Sequence, residues 1–357
     1  MPVFPASFQK FLKENEIDPA VYEIKDLPRY IRINPRDQNP IDRNELEFQL
    51  GTTLYSVSGL DGFFRLDGNA KIVGCQAYKD GKIYGIDLSS AIAVYALDLE
   101  KGDHVLDLCC APGAKLCMIS DLLGTDGTGT VTGYRIGRAR LFVADGTTFG
   151  VRAPSFLDPL RQETMRSSSR NWFGEELSED LTILAVDNGS GTSIIKPFWA
   201  PKTLRTDPQK ADDKYLYDKV LVDAECTHDG SVTHILKYEK WGWDVFEKNF
   251  MNPDRTESLR DLQRQLIVNG WSLLKPGGIL VYSTCSLSRQ QNEDVIGWFL
   301  SKYSDARLEE VPLTPQLRTA KIRRSQYDID LSMTVRLDPI CSNTSGFFVA
   351  KIRKPVV

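Results

Sequence analysis

Two cysteines and an aspartate each follow a short apolar segment with the composition of a buried strand. Residues 220–222 lead into Asp223, Cys226 comes three residues later, and the segment ILVYST leads into Cys285. Because ligands bind beyond the carboxyl ends of parallel strands, we expect these groups to lie close together. A thiolate is a nucleophile and a carboxylate can carry a proton. A lone cysteine or strand-end aspartate is usually structural, but their joint placement favours covalent catalysis.

A third strand end carries a turn suited to a ligand. The segment HVLDLCCAPGAKLCMISDLLG predicts a buried strand, a Pro-Gly turn and a helix with one apolar face. Gly113 lets the backbone approach a ligand closely, and the helix N-terminus offers free amides. Cys109, Cys110 and Cys117 lack the paired spacing of a zinc site, so we predict no metal and interpret Cys117 as a buried apolar residue.

Strands and helices alternate from residue 105 onward, which predicts an α/β fold with a doubly wound parallel sheet. A long amphipathic helix is expected in DRTESLRDLQRQLIVNGWSLLKPGG, directly before the strand that leads into Cys285. Residues 1–87 contain short helical and turn-rich, strand-like segments, which predict a smaller N-terminal α+β domain.

Length, charge and cysteine content restrict the class of protein. The chain has 357 residues, a formal net charge of -4 and seven cysteines without regular spacing. We therefore expect an intracellular protein, cytoplasmic or nuclear, rather than a disulfide scaffold. No segment has the length and apolar character of a membrane span, so no membrane partner is expected. The net charge argues against global attraction to nucleic acid but permits a local basic face.

Taken in order, the motifs resemble those of the NOL1/NOP2/Sun family of S-adenosylmethionine-dependent RNA cytosine-C5 methyltransferases. The matching segments are PRYIRINP, YGIDLSS, LDLCCAPGAK, VADGTTF, VDAEC, LKPGGILVYSTCS and SGFFVAKIRK, which extend over most of the chain. The resemblance implies a Rossmann-like methyltransferase domain, residues 88–357, after an RNA-binding module, residues 1–87. It also implies S-adenosylmethionine as cofactor and RNA, either tRNA or rRNA, as partner. We expect a monomer.

The resemblance assigns the nucleophile to Cys285, because RNA enzymes of this kind use the later cysteine, whereas enzymes acting on DNA use the one corresponding to Cys226. Addition of a thiolate to cytosine C6 makes C5 electron-rich enough to accept a methyl group. Asp223 is expected to bind N3 and the exocyclic amine, with Lys115 ordering it. Cys226, or water near it, would remove the C5 proton. The cytosine must leave its stack, so single-stranded loops are the expected target.

The resemblance also places the cofactor and RNA contacts. Asp223 and the turn after the first strand are expected to border the methionine portion of the cofactor, with the turn comprising Cys109, Cys110, Ala111, Pro112, Gly113, Ala114 and Lys115. Asp145 would lie beside the adenine, although Asp-Gly is equally an ordinary turn signal. Arg29 and Arg32 are candidates for phosphate contacts and Tyr30 for base stacking; a solvated basic strand is the alternative.

Three features depart from the family pattern. Glu225 replaces the usual proline before Cys226 and is expected to raise the pKa of that thiol. Residues 151–215 are too long for an ordinary connection and are interpreted as a surface insertion, partly flexible. The predicted strands at 130–132 and 141–144 are joined by fewer residues than the about 10 to 12 that a helical crossover needs. In addition, no acidic residue follows the first of these strands to bind the ribose.

Two hypotheses about function therefore remain open. The first is an active RNA cytosine-C5 methyltransferase, favoured by the presence of Asp223, Cys226 and Cys285 together. The second is a non-catalytic RNA-binding relative or a defective variant, favoured by the missing ribose acid and crossover helix, which predict impaired cofactor binding. A nicotinamide-dependent enzyme is disfavoured because no G-x-G-x-x-G follows the first strand.

Overall fold

The structure is a computed structural model that describes residues 4–124, 130–132, 139–140, 145–150, 185–187, 193–195, 216–315 and 317–356. The described helices are α1 (Ala6–Glu14), α2 (Arg43–Leu50), α3 (Gln76–Lys79), α4 (Leu88–Tyr95), α5 (Ala114–Leu123), α6 (Val232–Ile235), α7 (Tyr238–Trp241), α8 (Trp243–Phe250), α9 (Pro253–Leu273), α10 (Glu293–Lys302) and α11 (Pro339–Ser342). Two short 3₁₀ helices cover Pro19–Glu23 and Ile72–Gly74.

The described strands are β1 (Arg29–Ile33), β2 (Tyr55–Ser56), β3 (Phe63–Leu66), β4 (Ile83–Gly85), β5 (His104–Asp107), β6 (Thr130–Thr132), β7 (Ala139–Arg140), β8 (Ala185–Asp187), β9 (Ser193–Ile195), β10 (Tyr217–Asp223), β11 (Leu274–Thr284), β12 (Arg307–Glu309), β13 (Val335–Leu337) and β14 (Phe347–Arg353).

The main sheet has the order β12-β14-β11-β10-β5-β6-β7, with β13 also paired to β14. The five strands from β11 to β7 are mutually parallel, whereas β14 runs antiparallel to β11, β12 and β13. The chain leaves β5 toward β6 on one side and returns to β10 on the other, so the topological switch point lies between β5 and β10. This confirms the predicted doubly wound α/β fold.

Two predicted helices cover the sheet and position its ligand-binding edge. In α5, Leu116, Met118 and Ile119 are buried in one cluster with Val105 and Val131, residues of β5 and β6. In α9, the apolar face buries Leu266 and Ile267 in a cluster with strand residues of β10 and β11. Burying each such side chain stabilises the fold by roughly 1.5–3 kcal/mol. The amphipathic pattern read from the sequence is therefore confirmed in both helices.

The predicted Lys-Pro-Gly-Gly turn lies inside the span of β11. Tyr217 pairs with Leu274 and Lys219 pairs with Ile279, so residues 275–278 leave the regular register between the two pairs. Gly277 has φ 77°, a conformation that glycine adopts readily, and its amide donates to the carbonyl of Lys354. Beyond this irregularity, β10 and β11 run in register to Asp223 and Ser283, and they end side by side.

The N-terminal part forms a separate antiparallel sheet of order β2-β3-β1-β4. Ion pairs join it to a helix that covers the main sheet: Asp121 in α5 lies 2.5 Å from Arg32 and 3.2 Å from Arg36. Tyr84 also donates to Asp121, at 2.8 Å. The smaller α+β unit is thus present, while a domain boundary at residues 87/88 stays a prediction.

Two sequence predictions fall on the short crossover and the insertion. The first strand of the crossover is found at Thr130–Thr132, and its parallel partner is Ala139–Arg140 rather than 141–144, which lie outside the described residues. The intervening residues 133–138 also lie outside them. Of the proposed insertion, 151–215, the structure describes the antiparallel pair β8 and β9; whether the segment is flexible lies outside what is described.

Among the helices that the structure describes, none combines the length and apolar character that a membrane span requires.

Candidate active site

The two thiols meet at the carboxyl ends of β10 and β11. Cys285 directly follows β11 and Cys226 lies three residues after β10, and their Sγ atoms are 3.2 Å apart. Cys226 is buried, whereas Cys285 is partly exposed. The strand-end positions thus converge as the sequence predicts, and the more accessible thiol is the one expected to attack.

Asp223 and Lys115 form an ion pair beside these thiols. Lys115 Nζ donates to Asp223 Oδ2 at 2.7 Å, and Ser283 Oγ donates to Asp223 Oδ1 at 2.7 Å. Burial lowers the pKa of Lys115, but the Asp223 carboxylate outweighs this effect and the pKa is raised. Lys115 therefore stays charged and fixes the orientation of Asp223, as predicted from the resemblance.

A buried polar network fixes the loop that carries Cys226. Asp229 accepts hydrogen bonds from Ser286 Oγ and from the amide of Leu287, each at 2.7 Å. The amide of Gly230 donates to the carbonyl of Cys285 at 3.0 Å. A Cβ atom at Gly230 would lie 2.6 Å from that carbonyl oxygen, so this close approach requires glycine. These hydrogen bonds join the loops that follow β10 and β11.

The turn after β5 faces the same edge. Ala111 and Pro112 are exposed, while Cys109, Cys110 and Lys115 are partly buried. Gly113 has φ 111° and precedes the first residue of α5, Ala114. Burial raises the pKa of both Cys109 and Cys110, so these thiols stay neutral. They can line a cofactor site but are unsuited to nucleophilic attack.

Asp107, which our sequence analysis missed, closes β5 directly below this turn. Both of its carboxylate oxygens are buried and lack a well-formed hydrogen bond among the described residues; a weak contact with the amide of Cys109 remains. Burial, and then the nearby Asp223, raise the pKa of Asp107 to about 7. A buried, unsatisfied carboxylate is unfavourable by itself, so an amine from a bound molecule fits this position.

Asp145 lies on an exposed turn. Its Oδ1 accepts from the amide and the hydroxyl of Thr147, at 2.8 and 2.7 Å, and these bonds lower its pKa. Asn269 in α9 holds the turn by donating to the carbonyls of Gly146 and Phe149. Both original interpretations stay compatible with this geometry, so a contact between Asp145 and the adenine remains a prediction.

Comparison with known proteins identifies relatives over most of the chain. Residues 200–353 match the model of the 16S rRNA methyltransferase RsmB/F family. The tRNA (cytosine(49)-C(5))-methyltransferase of Pyrococcus abyssi is 26% identical over 78% of this chain and 72% of its own length. Ribosomal RNA small subunit methyltransferase F of Escherichia fergusonii is 25% identical over 92% of this chain. These matches support the resemblance to the NOL1/NOP2/Sun family of RNA cytosine-C5 methyltransferases that the motifs indicate.

Solved structures show the same fold. NSun6 from Pyrococcus horikoshii, solved with SFG, superposes with a TM-score of 0.61 at 16% identity and covers 98% of each chain. A methyltransferase homologue from the same organism has a TM-score of 0.55 at 22% identity. The chain and its relatives differ in length, and this chain spans 57% of the length of the Escherichia fergusonii relative.

Two of the predicted RNA contacts are wrong. Arg32 is buried and its guanidinium is bound by Asp121, while Tyr84 lies 2.7 Å from its Nη1. Tyr30 is also buried, and its hydroxyl donates to the carbonyl of Asn343. Both side chains contact the part of the chain that contains the main sheet. Arg29 is exposed and donates to the carbonyl of Ala70, so its contact with RNA stays a prediction.

The departure at Glu225 has a different effect from the one expected. The pKa of Cys226 is raised, but burial is its largest cause, followed by the contact with Cys285. The Glu225 side chain is exposed and lies 3.6 Å from Arg255. The predicted direction is therefore right and the assigned cause is wrong.

His228 is the second residue that our sequence analysis missed. Its Nδ1 lies 2.9 Å from Cys285 Sγ and 3.9 Å from Cys226 Sγ, and these three atoms all lie within 4.8 Å of one another. Each is hydrogen-bonded within the group, so we describe it as an acid–base cluster; that no metal is needed stays a prediction. A titratable residue two positions after a candidate cysteine was the available signal.

Proposed function

We propose that this protein methylates C5 of a cytosine in RNA, with Cys285 as the nucleophile. The observation that supports this most directly is the convergence of Cys285, Cys226 and the Lys115–Asp223 pair at the carboxyl-end edge of the parallel strands. Cys285 combines partial exposure with a lowered pKa, whereas the pKa values of Cys226, Cys109 and Cys110 are raised. Cys285 therefore has the properties of an attacking thiolate.

The covalent step begins when Cys285 Sγ bonds to C6 of the cytosine and the C5–C6 π electrons move toward the N3 side of the ring. Asp223, oriented by Lys115 and Ser283, is placed to share a proton with N3 and to accept from the exocyclic amine. After methyl transfer, loss of the C5 proton restores the C5–C6 double bond and releases Cys285. Cys226, or water beside it, is the proposed acceptor of that proton.

We infer that S-adenosylmethionine is the cofactor, and when bound it supplies the electrophilic methyl group. The residues that would hold it are Asp107 toward its amine, the turn at residues 109–115 beside its methionine portion, and Asp145 toward its adenine. The unsatisfied Asp107 carboxylate supports this fit. The six-residue link at 133–138 contains no acid for the ribose, so we expect weaker binding than an intact second-strand site would give.

We propose an unpaired cytosine of tRNA or rRNA as substrate, because relatives of both specificities match the chain. The alternative of a non-catalytic RNA-binding relative is not favoured. The relatives reported above are methyltransferases, and the thiols with their ion pair are assembled in this chain.

Trapping the covalent intermediate tests the function. Cys226→Ala is incubated with S-adenosylmethionine and tRNA or rRNA transcripts, and we expect a denaturant-stable protein–RNA adduct. The adduct should vanish in the Cys226→Ala, Cys285→Ala double variant. Cys341→Ala is a matched control, since this thiol lies on α11, in contact with the carbonyl of Asp338. No adduct with either RNA class, from a protein whose thermal melt shows it folded, would refute the proposal.

A further inference from the structure

His228 is a titratable residue at the active site to which the mechanism above gives no role. It lies two residues after Cys226, at the point where the chain turns toward Gly230. Its Nδ1 approaches Cys285 Sγ to 2.9 Å, closer than Cys226 Sγ does at 3.2 Å. The imidazole is thus in direct contact with the atom that is proposed to attack cytosine.

The surroundings of His228 and Cys285 favour a charged pair. His228 faces the carboxylates of Asp229 and Glu225 and the ring of His234, while Cys285 is influenced by Lys115 and Asp223. The hydrogen bond from Cys226 and then that from His228 lower the pKa of Cys285. The same contact with Cys285 raises the pKa of His228, which shifts the equilibrium toward imidazolium and thiolate.

The backbone at His228 provides a second, independent observation. Its φ is 54°, in the left-handed region that residues other than glycine rarely adopt. Such a conformation costs on the order of 1 kcal/mol and tends to persist at functional sites. Glycine would relieve this strain without loss of any backbone contact. An imidazole is nevertheless held here, aimed at two thiols.

We propose that His228 is the proton acceptor of Cys285 and keeps it as the thiolate that attacks cytosine. The proton on Cys285 Sγ moves to His228 Nδ1, and the electron pair of the S–H bond stays on sulfur. That pair then forms the S–C6 bond, and it returns to sulfur when the thiol is eliminated. The inference rests on the proposed function and adds a residue to its catalytic group.

This assignment also defines the state of Cys226. With its pKa raised by burial, Cys226 remains a neutral thiol and donates its S–H to the Cys285 thiolate. Cys285 therefore receives two hydrogen bonds in its charged form, one from each neighbour. A neutral thiol is not a base. Water therefore accepts the C5 proton, or Cys226 accepts it after first losing its own proton to a neighbour in the cluster.

Alkylation of Cys285 tests the proposal in the full-length protein without RNA or cofactor. The rate of reaction with iodoacetamide is measured between about pH 5 and pH 9, with Cys285 resolved by mass spectrometry. In the wild type, we expect a midpoint below the ordinary thiol value of about 8.5. In His228→Asn and His228→Gly the midpoint should rise by about one unit or more, which slows alkylation about tenfold near pH 5, below both midpoints.

Three controls distinguish a chemical role from a structural one. His234→Asn removes a nearby imidazole that does not contact the thiols and should leave the midpoint unchanged. His228→Gly relieves the strained φ, so at about pH 5, where the Cys285 thiol is largely protonated and the charged pair contributes little, its free energy of unfolding should equal or exceed that of the wild type. Free imidazole should partly restore alkylation in His228→Gly but not in His228→Asn, whose side chain fills the space.

An unchanged Cys285 midpoint in both His228 variants would overturn the proposal. A lower stability of His228→Gly together with an unchanged midpoint in that variant would also overturn it, because His228 would then have only a structural role. Failure of the methyltransferase function is a separate result. If the wild type forms no adduct with any RNA while the midpoint still depends on His228, the acid–base pair stands without the proposed reaction. If adducts form and the midpoint is independent of His228, the function stands without it.

Discussion

The edges formed by β10 with β11 and by β5 with β6 lie side by side, but their polar groups differ. After β10 and β11, Asp223 is bound by Lys115 and Ser283, and Asp229 is bound by the neighbouring loop. At the end of β5, the buried Asp107 lacks a well-formed partner. The first edge is organised by contacts within the protein, whereas the proposed function requires a ligand to complete the second. On the proposed function, the groups that activate cytosine are already in place, and cofactor binding is the step that mutation should weaken more easily.

The largest effect is expected from breaking the preorganised edge at Lys115→Met. Asp223 would lose the ammonium group that lies 2.7 Å away and would no longer be held toward the cytosine. Removing one preorganised electrostatic group typically lowers kcat about 10²- to 10³-fold. Single-turnover methylation of a transcript RNA at saturating S-adenosylmethionine would measure this loss separately from any change in cofactor affinity.

The matched control for Lys115→Met is Lys219→Met. Lys219 is also paired with an aspartate, its Nζ lying 3.7 Å from Asp103, but it lies near the start of β10, away from the thiols. It should retain the wild-type kcat. An unaltered kcat in folded Lys115→Met would show that Asp223 does not depend on this ion pair.

A smaller effect on the second edge is expected from Asp107→Asn. The ionised carboxylate would no longer pair with the amine of S-adenosylmethionine, and we expect a Kd about tenfold weaker, equivalent to about 1.4 kcal/mol. Because the pKa of Asp107 is about 7, wild-type affinity should rise as pH increases through 7. The affinity of Asp107→Asn should not show this rise, which calorimetry between about pH 6 and pH 8 would measure.

The same variant should gain stability while it loses affinity. A folded pKa above the unfolded value of about 3.9 means that the stability contribution is present below about pH 4 and is lost as pH rises through 7. The charged carboxylate therefore destabilises the folded protein at pH 8. Asp107→Asn should raise the free energy of unfolding there by about 1–3 kcal/mol, after allowing for a buried amide. Lower stability at pH 8 would mean that Asp107 has a structural partner.

The sequence allowed the first edge to be predicted more fully than the second. Apolar strands ending in Asp223 and near Cys226 and Cys285 place these groups at one sheet edge, because parallel strands end together. Whether a buried carboxylate such as Asp107 has a partner depends on contacts distant in sequence. His228 was missed because its direction is set by a positive φ, which local composition does not reveal for a residue other than glycine.

The N-terminal sheet shows the same limit. The alternation of apolar and polar residues in β1 predicts two different faces, but it does not predict which face is covered by another part of the protein. Arg32 was expected at a basic surface, yet Asp121 of α5 binds it in the interface. Arg29, three residues earlier, stays exposed. Tyr30, which lies between them, donates to the carbonyl of Asn343. Three residues later, the amide of Gly346 donates to the carbonyl of Gly230. The start of β1 therefore lies on the side of the thiol edge.

Arg29→Ala should produce the smallest effect, confined to RNA binding. Loss of one phosphate contact lowers affinity a few-fold and reduces the dependence of log K on log salt by about 1. Fluorescence anisotropy with a labelled transcript over a range of salt concentrations would measure both quantities. Lys101→Ala is the control, since Lys101 is exposed near the amino end of β5, at the opposite edge of the sheet, and should leave the slope unaltered. Equal slopes for Arg29→Ala and the wild type would place the RNA elsewhere, and the thiol edge would then be reached along a surface that β1 does not line.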